Sequence, residues 1–250
     1  MKKLALLSLF AIAIQMNTLK AQSNSEKIFE KYRFGIFLGP TFNTFKPTAS
    51  KAEDNGVSFV VNKDGSRVGF SFGLTCELNL NERYTAFSGI GLDWRGGIIN
   101  VARSDSAIKN DYVKSARIAY RHQFLTIPLG LKMKAFEFHK FKIFAQTNFD
   151  LGILLSQKGN YDGMPSVGIP ENLENVKLSD YAKGVPVNLG WSIGAGTEYA
   201  ITDKNAVYGA ILYRNGFTDA TTPQSNKTGL KFADGNIRQN TIAIRIGYYF

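Results

Sequence analysis

In residues 67–78, "RVGFSFGLTCEL", the apolar side chains of Val68, Phe70, Phe72, Leu74, Cys76 and Leu78 alternate with Arg67, Gly69, Ser71, Gly73, Thr75 and Glu77. Successive side chains of a strand point to opposite faces, so this segment carries one apolar face and one face of glycine and charge. The pattern recurs along the chain. Phe34, Ile36, Leu38 and Phe42 share a parity between Tyr32 and Phe42, as do Tyr84, Ile90, Leu92 and Trp94 between Arg83 and Arg95. Leu125, Ile127, Leu129, Leu131 and Met133 alternate with Thr126, Pro128, Gly130, Lys132 and Lys134. Further alternating segments are Lys142 to Leu154, Asn188 to Tyr199, Ala206 to Arg214 and the closing Asn240 to Phe250. Upstream of Phe124 the apolar parity flips to Ile118 and Tyr120, which a β-bulge explains.

Asp, Glu, Lys and Arg are missing from the apolar face of these segments, while the other face collects nearly all the glycine and charge. The connections alternate in length. "NLNE", "AFEFHK" and "AITDKN" are short, whereas residues 43–66, 96–116, 156–185 and 215–238 make long polar connections. In hydrocarbon every backbone N–H and C=O needs a protein partner, so only helices and closed barrels can span. Strands of roughly ten residues with short turns at one end and long loops at the other are the outer-membrane pattern. The expected fold is all-β, an eight-stranded antiparallel up-and-down transmembrane β-barrel over residues 22–250. An even strand number puts both termini at the short-turn, periplasmic side. A soluble barrel is the competing fold, but it would turn its apolar face inward and its charge outward.

Residues 1–21 read as a secretory signal: Met1-Lys2-Lys3, the apolar "LALLSLFAIAI" up to Ile14, and the small residue Ala21 after which cleavage is expected. Removing Lys2, Lys3 and Lys20 takes the net charge from +10 to +10 − 3 = +7. On an exported chain an anionic lipid or sugar surface is a better partner for this charge than nucleic acid, but solvated lysines and arginines in loops are the preferred reading of the sum. Cys76 is the single cysteine, so no intramolecular disulfide forms.

On the inward face, Arg33, Glu77, Lys132, Lys142 and Glu198 fall near the periplasmic end, and Asp150 and Arg245 nearer the middle. Arg67, Asp93, Arg95 and Arg214 fall towards the outer end. An eight-stranded barrel is just wide enough for side chains to fill, so mixed signs at both levels predict a salt-bridged plug rather than a conducting ring. Trp94, Tyr199, Tyr213, Tyr248 and Phe250 are expected in the interfacial aromatic girdles, with Tyr84, Trp191 and Tyr208 as further members. His122 near the outer rim and His139 in a short turn are the two histidines, and no spacing sets a nucleophile and carboxylate beside either. Two distant histidines and one cysteine make no zinc set, and "EDNG" and "NKDG" lack calcium-loop spacing. No catalytic, metal or cofactor site is expected, and the chain reads as not an enzyme.

The final "RIGYYF" resembles the terminal signature of bacterial outer-membrane barrels, which implies that Phe250 is part of the signal read by the barrel-assembly machinery. "FLTIPLGLKMK" resembles the "YLxIPLLLK" strand of the PorT-like family of Bacteroidetes outer-membrane barrels. "GWSIGAGTEY" is similar to that family's "GxxxGxGxEY", and "LYRNGFTD" to its "RYxxGLTN", although Arg214-Asn215-Gly216-Phe217 departs from the usual spacing. A founding member is implicated in type IX secretion, a role that most relatives are not known to share. The expectation is a monomer integral to the outer membrane, with lipid, the assembly machinery and an envelope protein as partners. A narrow porin is the first alternative and a lipid-modifying enzyme the second.

Overall fold

A computed structural model describes residues 31–48, 51–54, 57–103, 115–163, 172–177, 183–202, 204–222 and 236–250. The expected signal segment, residues 1–21, lies outside them. The strands in chain order are β1 (Tyr32–Pro47), β2 (Lys51–Asp54), β3 (Val57–Asn79), β4 (Tyr84–Arg103), β5 (Ser115–Phe138) and β6 (Phe141–Gly163). They continue with β7 (Asn172–Val176), β8 (Lys183–Gly184), β9 (Val187–Ala200), β10 (Ala206–Gly216), β11 (Thr221–Thr222) and β12 (Ile237–Tyr249). Eight of them, β1, β3, β4, β5, β6, β9, β10 and β12, each pair antiparallel with two neighbours. The ring closes because β1 bonds both β12 and β3, with Ile36 opposite Tyr248 on one side and Leu74 on the other. β2 adds to β3, β7 adds to β6, and β8 and β11 form a separate short ladder.

Alternation decides which way each side chain points. Ile36, Leu38, Phe72, Leu74, Leu129, Leu131, Ile193, Ile211, Ile244 and Ile246 are exposed on the outer wall. Asn43, Ser71, Glu77, Thr126, Lys132, Asp150 and Glu198 are buried within. This inside-out distribution is stable only with hydrocarbon around it. The short turns join β3 to β4, β5 to β6 and β9 to β10 at one end; in the tightest, His139 takes a positive φ of 54°.

Four strands outrun the lipid by the most. A transmembrane strand needs about 9–11 residues, whereas β3, β5 and β6 have 23, 24 and 23 residues and β4 has 20. Past the lipid-facing zone the polarity reverses. Phe45, Val61, Ile99, Val101, Ile118, Tyr120, Tyr161, Ala220 and Ile237 pack inside as one apolar core. Arg117, Arg121, Lys158, Asn160 and Asp162 are exposed outside. Water replaces lipid as the outer solvent, so the extension is built like a soluble protein.

This corrects the bulge expected upstream of Phe124. Ile118, Tyr120, His122, Phe124 and Thr126 are all buried on one continuous parity, so β5 itself keeps phase. The apolar residues change face relative to lipid because the solvent changes, not because the strand slips. An irregularity does occur at this height, but in the partner strand: Gln123 pairs with Ser156 and Phe124 with Leu154, leaving Leu155 extra in β6. Tyr208 is also corrected. Together with Ala206, Ala210 and Leu212 it faces the lumen and is 6% exposed, so it belongs to no girdle.

Candidate functional site

The chemistry of the chain concentrates inside the barrel, in layers. Near the short turns, Arg33 of β1, Glu77 of β3, Lys132 of β5 and Glu198 of β9 converge because each occupies an inward position of its strand. Lys132 Nζ donates to Glu77 Oε1, to Glu198 Oε1 at 2.9 Å and to the Tyr249 hydroxyl at 2.8 Å. Arg33 Nη2 donates to Glu77 Oε2 at 2.7 Å and Glu198 Oε2 at 2.9 Å, and the Tyr249 hydroxyl donates to Glu77 Oε1 at 2.7 Å. Two cations and two anions leave this layer neutral. Lys132 and Glu77 are each 1% exposed. The Arg33 guanidinium lies 3.9 Å from the Tyr249 ring centroid, the Lys132 ammonium lies 4.4 Å from that of Phe144, and Tyr208 stacks on Tyr249 at 4.7 Å.

The next layer holds two acid–base groups. Asp93 accepts from Arg95 and, at 2.8 Å, from the Thr126 hydroxyl, while Arg95 Nη2 reaches Thr126 Oγ1 at 2.9 Å. Asp150 accepts from the Ser192 hydroxyl, from Asn148 Nδ2 at 2.8 Å, and faces Arg214 Nε at 3.4 Å. Arg214 Nη2 donates to Asn188 Oδ1 at 3.2 Å. Gly190 leaves it room, since a Cβ there would lie 2.7 Å from Arg214 Nε. Arg245 joins no ion pair among the described residues; its guanidinium lies 4.4 Å from the Phe37 ring centroid. With Arg95 and Arg214 it gives this layer three cations against Asp93 and Asp150. Between the layers is a cavity of about 20 Å³ lined by Phe37, Glu77, Gln146, Tyr208, Arg245 and Tyr249, room for a single water.

His122 caps the lumen. The exposed side chain of Arg121 puts this residue beyond the lipid-facing part of β5, Leu125 to Met133. Its ring is fully buried among Phe45 (6.2 Å between centroids), Tyr120 (5.6 Å) and Phe124 (5.8 Å). Burial first and the charge of Arg95 second push its pKa down to about 4, so the imidazole is neutral. Neither ring nitrogen meets a hydroxyl or carboxylate among the described residues, and these supply no nucleophile–base pair at His122.

The structure therefore gathers Arg33, Glu77, Lys132 and Glu198 into one group and Asp93, Arg95, Asp150 and Arg214 into the next layer, with Arg245 beside them. Two residues depart from the expected lumen set: Lys142 pairs at 2.9 Å with the exposed Glu137, and Arg67 sits half-buried at the rim. Tyr249, Thr126, Ser192 and Asn188, not singled out from the sequence, complete the layers, although Tyr249 shares its parity with Arg245. On the outer wall Tyr199 and Phe250 lie near the short turns, Tyr248 stacking on Phe250 at 6.4 Å. Trp94, stacked on Phe72 at 5.8 Å, and Tyr213 lie towards the opposite end.

An outer membrane protein beta-barrel domain matches over residues 20–221. The chain belongs to that family. This outer membrane beta-barrel finds no match among curated proteins. Among solved structures it is similar to the attachment invasion locus protein Ail of Yersinia pestis, at 11% identity over 88% of this chain and 99% of that one, with a TM-score of 0.38. Neisserial surface protein A matches at 10% identity over 86% and 95%, with a TM-score of 0.37. The outer membrane protease OmpT from Escherichia coli matches at 10% over 88% and 96%, with a TM-score of 0.40. The last corrects the expectation that the chain is not an enzyme. Spacing in the sequence does not exclude catalysis, because a triad can be assembled from separate strands.

Proposed function

We propose that this outer-membrane barrel is closed to solutes and presents its outward extension as a rigid platform for an envelope protein partner. The observation that carries the reading is the continuation of β3, β4, β5 and β6 beyond the lipid around the Phe45–Ile99–Tyr120–Tyr161 core. Ordering that much backbone is costly, and simple loops would suffice to close the ends of a purely structural barrel. The layered lumen supports the closed state, because a solute would have to break buried, mutually satisfied ion pairs. The resemblance to PorT-like barrels supports a secretion-related or envelope-assembly partner. The cleaved segment over residues 1–21, the periplasmic termini and the monomeric state belong to the same proposal.

Photo-crosslinking in native outer membrane tests it, with the reactive group placed at exposed Lys63 or Asn160 on the platform and at lipid-facing Leu129 as control. A discrete protein adduct is expected from the platform positions and not from Leu129; lipid adducts alone at every position would defeat the reading. Planar-bilayer recording tests the closed lumen. Steady single-channel steps from pure protein would replace the platform reading with the narrow porin.

A further inference from the structure

Four strands show the same sequence of chemistry on their outer wall as they leave the lipid. On β5 it runs Leu125, Gln123, Arg121, and on β1 Phe42, Thr44, Lys46. On β12 it runs Ile242, Asn240, Arg238, and on β6 Ile153, then Ser156 and Lys158 past the extra Leu155. In each the order is apolar, neutral polar, basic. The register sets the basic residues side by side: Arg121 is directly opposite Lys158, and Lys46 directly opposite Arg238. All four are exposed, and none joins an ion pair among the described residues. Beside them the wall at Gly96, directly opposite Arg121, carries no side chain. Further out, past Ala119 and Asn160, the pattern changes, because Arg117 faces Asp162 across the ladder and pairs with Asp64.

Like charges directly opposite one another in a sheet are destabilising. Here they occur twice, on two flanks of the barrel, at the same step beyond the last lipid-facing aliphatic residue, while the Arg117–Asp162 rung farther out is balanced. Four residues of tilted strand rise about 10 Å, which leaves long basic side chains within reach of the headgroup layer about 5–8 Å deep beyond the hydrocarbon. We propose that Arg121–Lys158 and Lys46–Arg238 are two clamps for the phosphate groups of anionic lipids in the leaflet facing the long strands. Each clamp offers two convergent cations to one phosphate, and the anion removes the repulsion between them. The proposal does not depend on a protein partner for the platform.

The test is lipid selectivity of the folded barrel in vesicles, read as the association of spin-labelled phosphatidylglycerol relative to spin-labelled phosphatidylcholine at the protein boundary. Wild type is expected to favour phosphatidylglycerol, and each basic side chain removed should weaken that preference about five-fold at low salt. R121Q/K158Q and K46Q/R238Q should each lose part of it and the quadruple variant nearly all. R121K/K158R/K46R/R238K should keep it. Heat-modifiable gel migration reports whether each variant is folded, and should the quadruple variant misfold, the two doubles decide. Absence of selectivity in wild type, or selectivity unchanged in both doubles, overturns the proposal. So does displacement of the labelled anionic lipid by inorganic phosphate beyond the effect of chloride at equal ionic strength, which would make the clamps a site for a free ion.

Discussion

Lys132 carries its charge to a place water does not reach, and its three donors go to Glu77, Glu198 and Tyr249. Lys132→Met would leave two buried carboxylates to Arg33 alone, and breaking a buried pair in this way costs about 3–5 kcal/mol. A large drop in the urea unfolding midpoint in detergent micelles is expected, followed by gel migration. Adding Glu77→Gln restores one cation to one anion and should recover most of the loss. His122 acts through pH. Its folded pKa lies near 4, below the ordinary value of about 6.5, so the unfolded chain takes up the proton first. The contribution of neutral His122 is therefore complete above about pH 6.5 and is lost as pH falls towards 4, by about 2 kcal/mol at pH 5. His122→Phe keeps an aromatic ring in the Phe45–Tyr120–Phe124 box and should remove that part of the acid sensitivity. Unfolding midpoints at pH 7 and pH 5 for both proteins check it.

At the scale of the strand, the weak point of the ring is the seam between first and last. β1 and β12 keep one register throughout, but no pairing is made at Gly39 and Pro40, between Leu38–Ile246 and Thr41–Ala243. A Cβ at Gly39 would lie 1.8 Å from the Ile244 carbonyl oxygen. Gly39→Val should hold the two strands apart, and loss of the heat-modifiable folded band during refolding is the expected result. The lipid-crossing part of each strand was legible from the sequence because hydrocarbon demands an apolar residue at every second position, as in Leu125 to Met133. The extensions of β3 to β6 were not, because Ile118 and Tyr120 lie on the buried face of a water-exposed wall and read as a change of phase. The inward charges were legible by parity alone, whereas their grouping depends on strand order and stagger around the ring. That Lys132 meets Glu198 across 66 residues, while Lys142 turns to Glu137, follows from no local pattern. Tyr208 was misread by residue type; its parity with Ala206, Ala210 and Leu212 already pointed inward.

At the scale of the whole molecule, assembly and stability separate at Phe250. Its ring is 58% exposed and its N–H closes the seam on the Phe34 carbonyl at 2.9 Å. Deleting it removes one hydrogen bond and a lipid-facing ring, a loss of about 1–3 kcal/mol. The refolded deletion protein should unfold close to the wild-type midpoint, while its level in the outer membrane falls several-fold on immunoblots of membrane fractions. Normal membrane levels would exclude a role for Phe250 in assembly. The reversal of polarity along β5 has a consequence for variation. Below Gln123, serine should be accepted at inward positions such as Thr126 and rejected at outward ones such as Leu125. Above it, serine should be accepted at Arg117 and rejected at Tyr120. A map of tolerated substitutions would thus show two combs of alternating constraint on one unbroken strand, offset by one residue, and the place where they cross would mark the edge of the membrane in living cells.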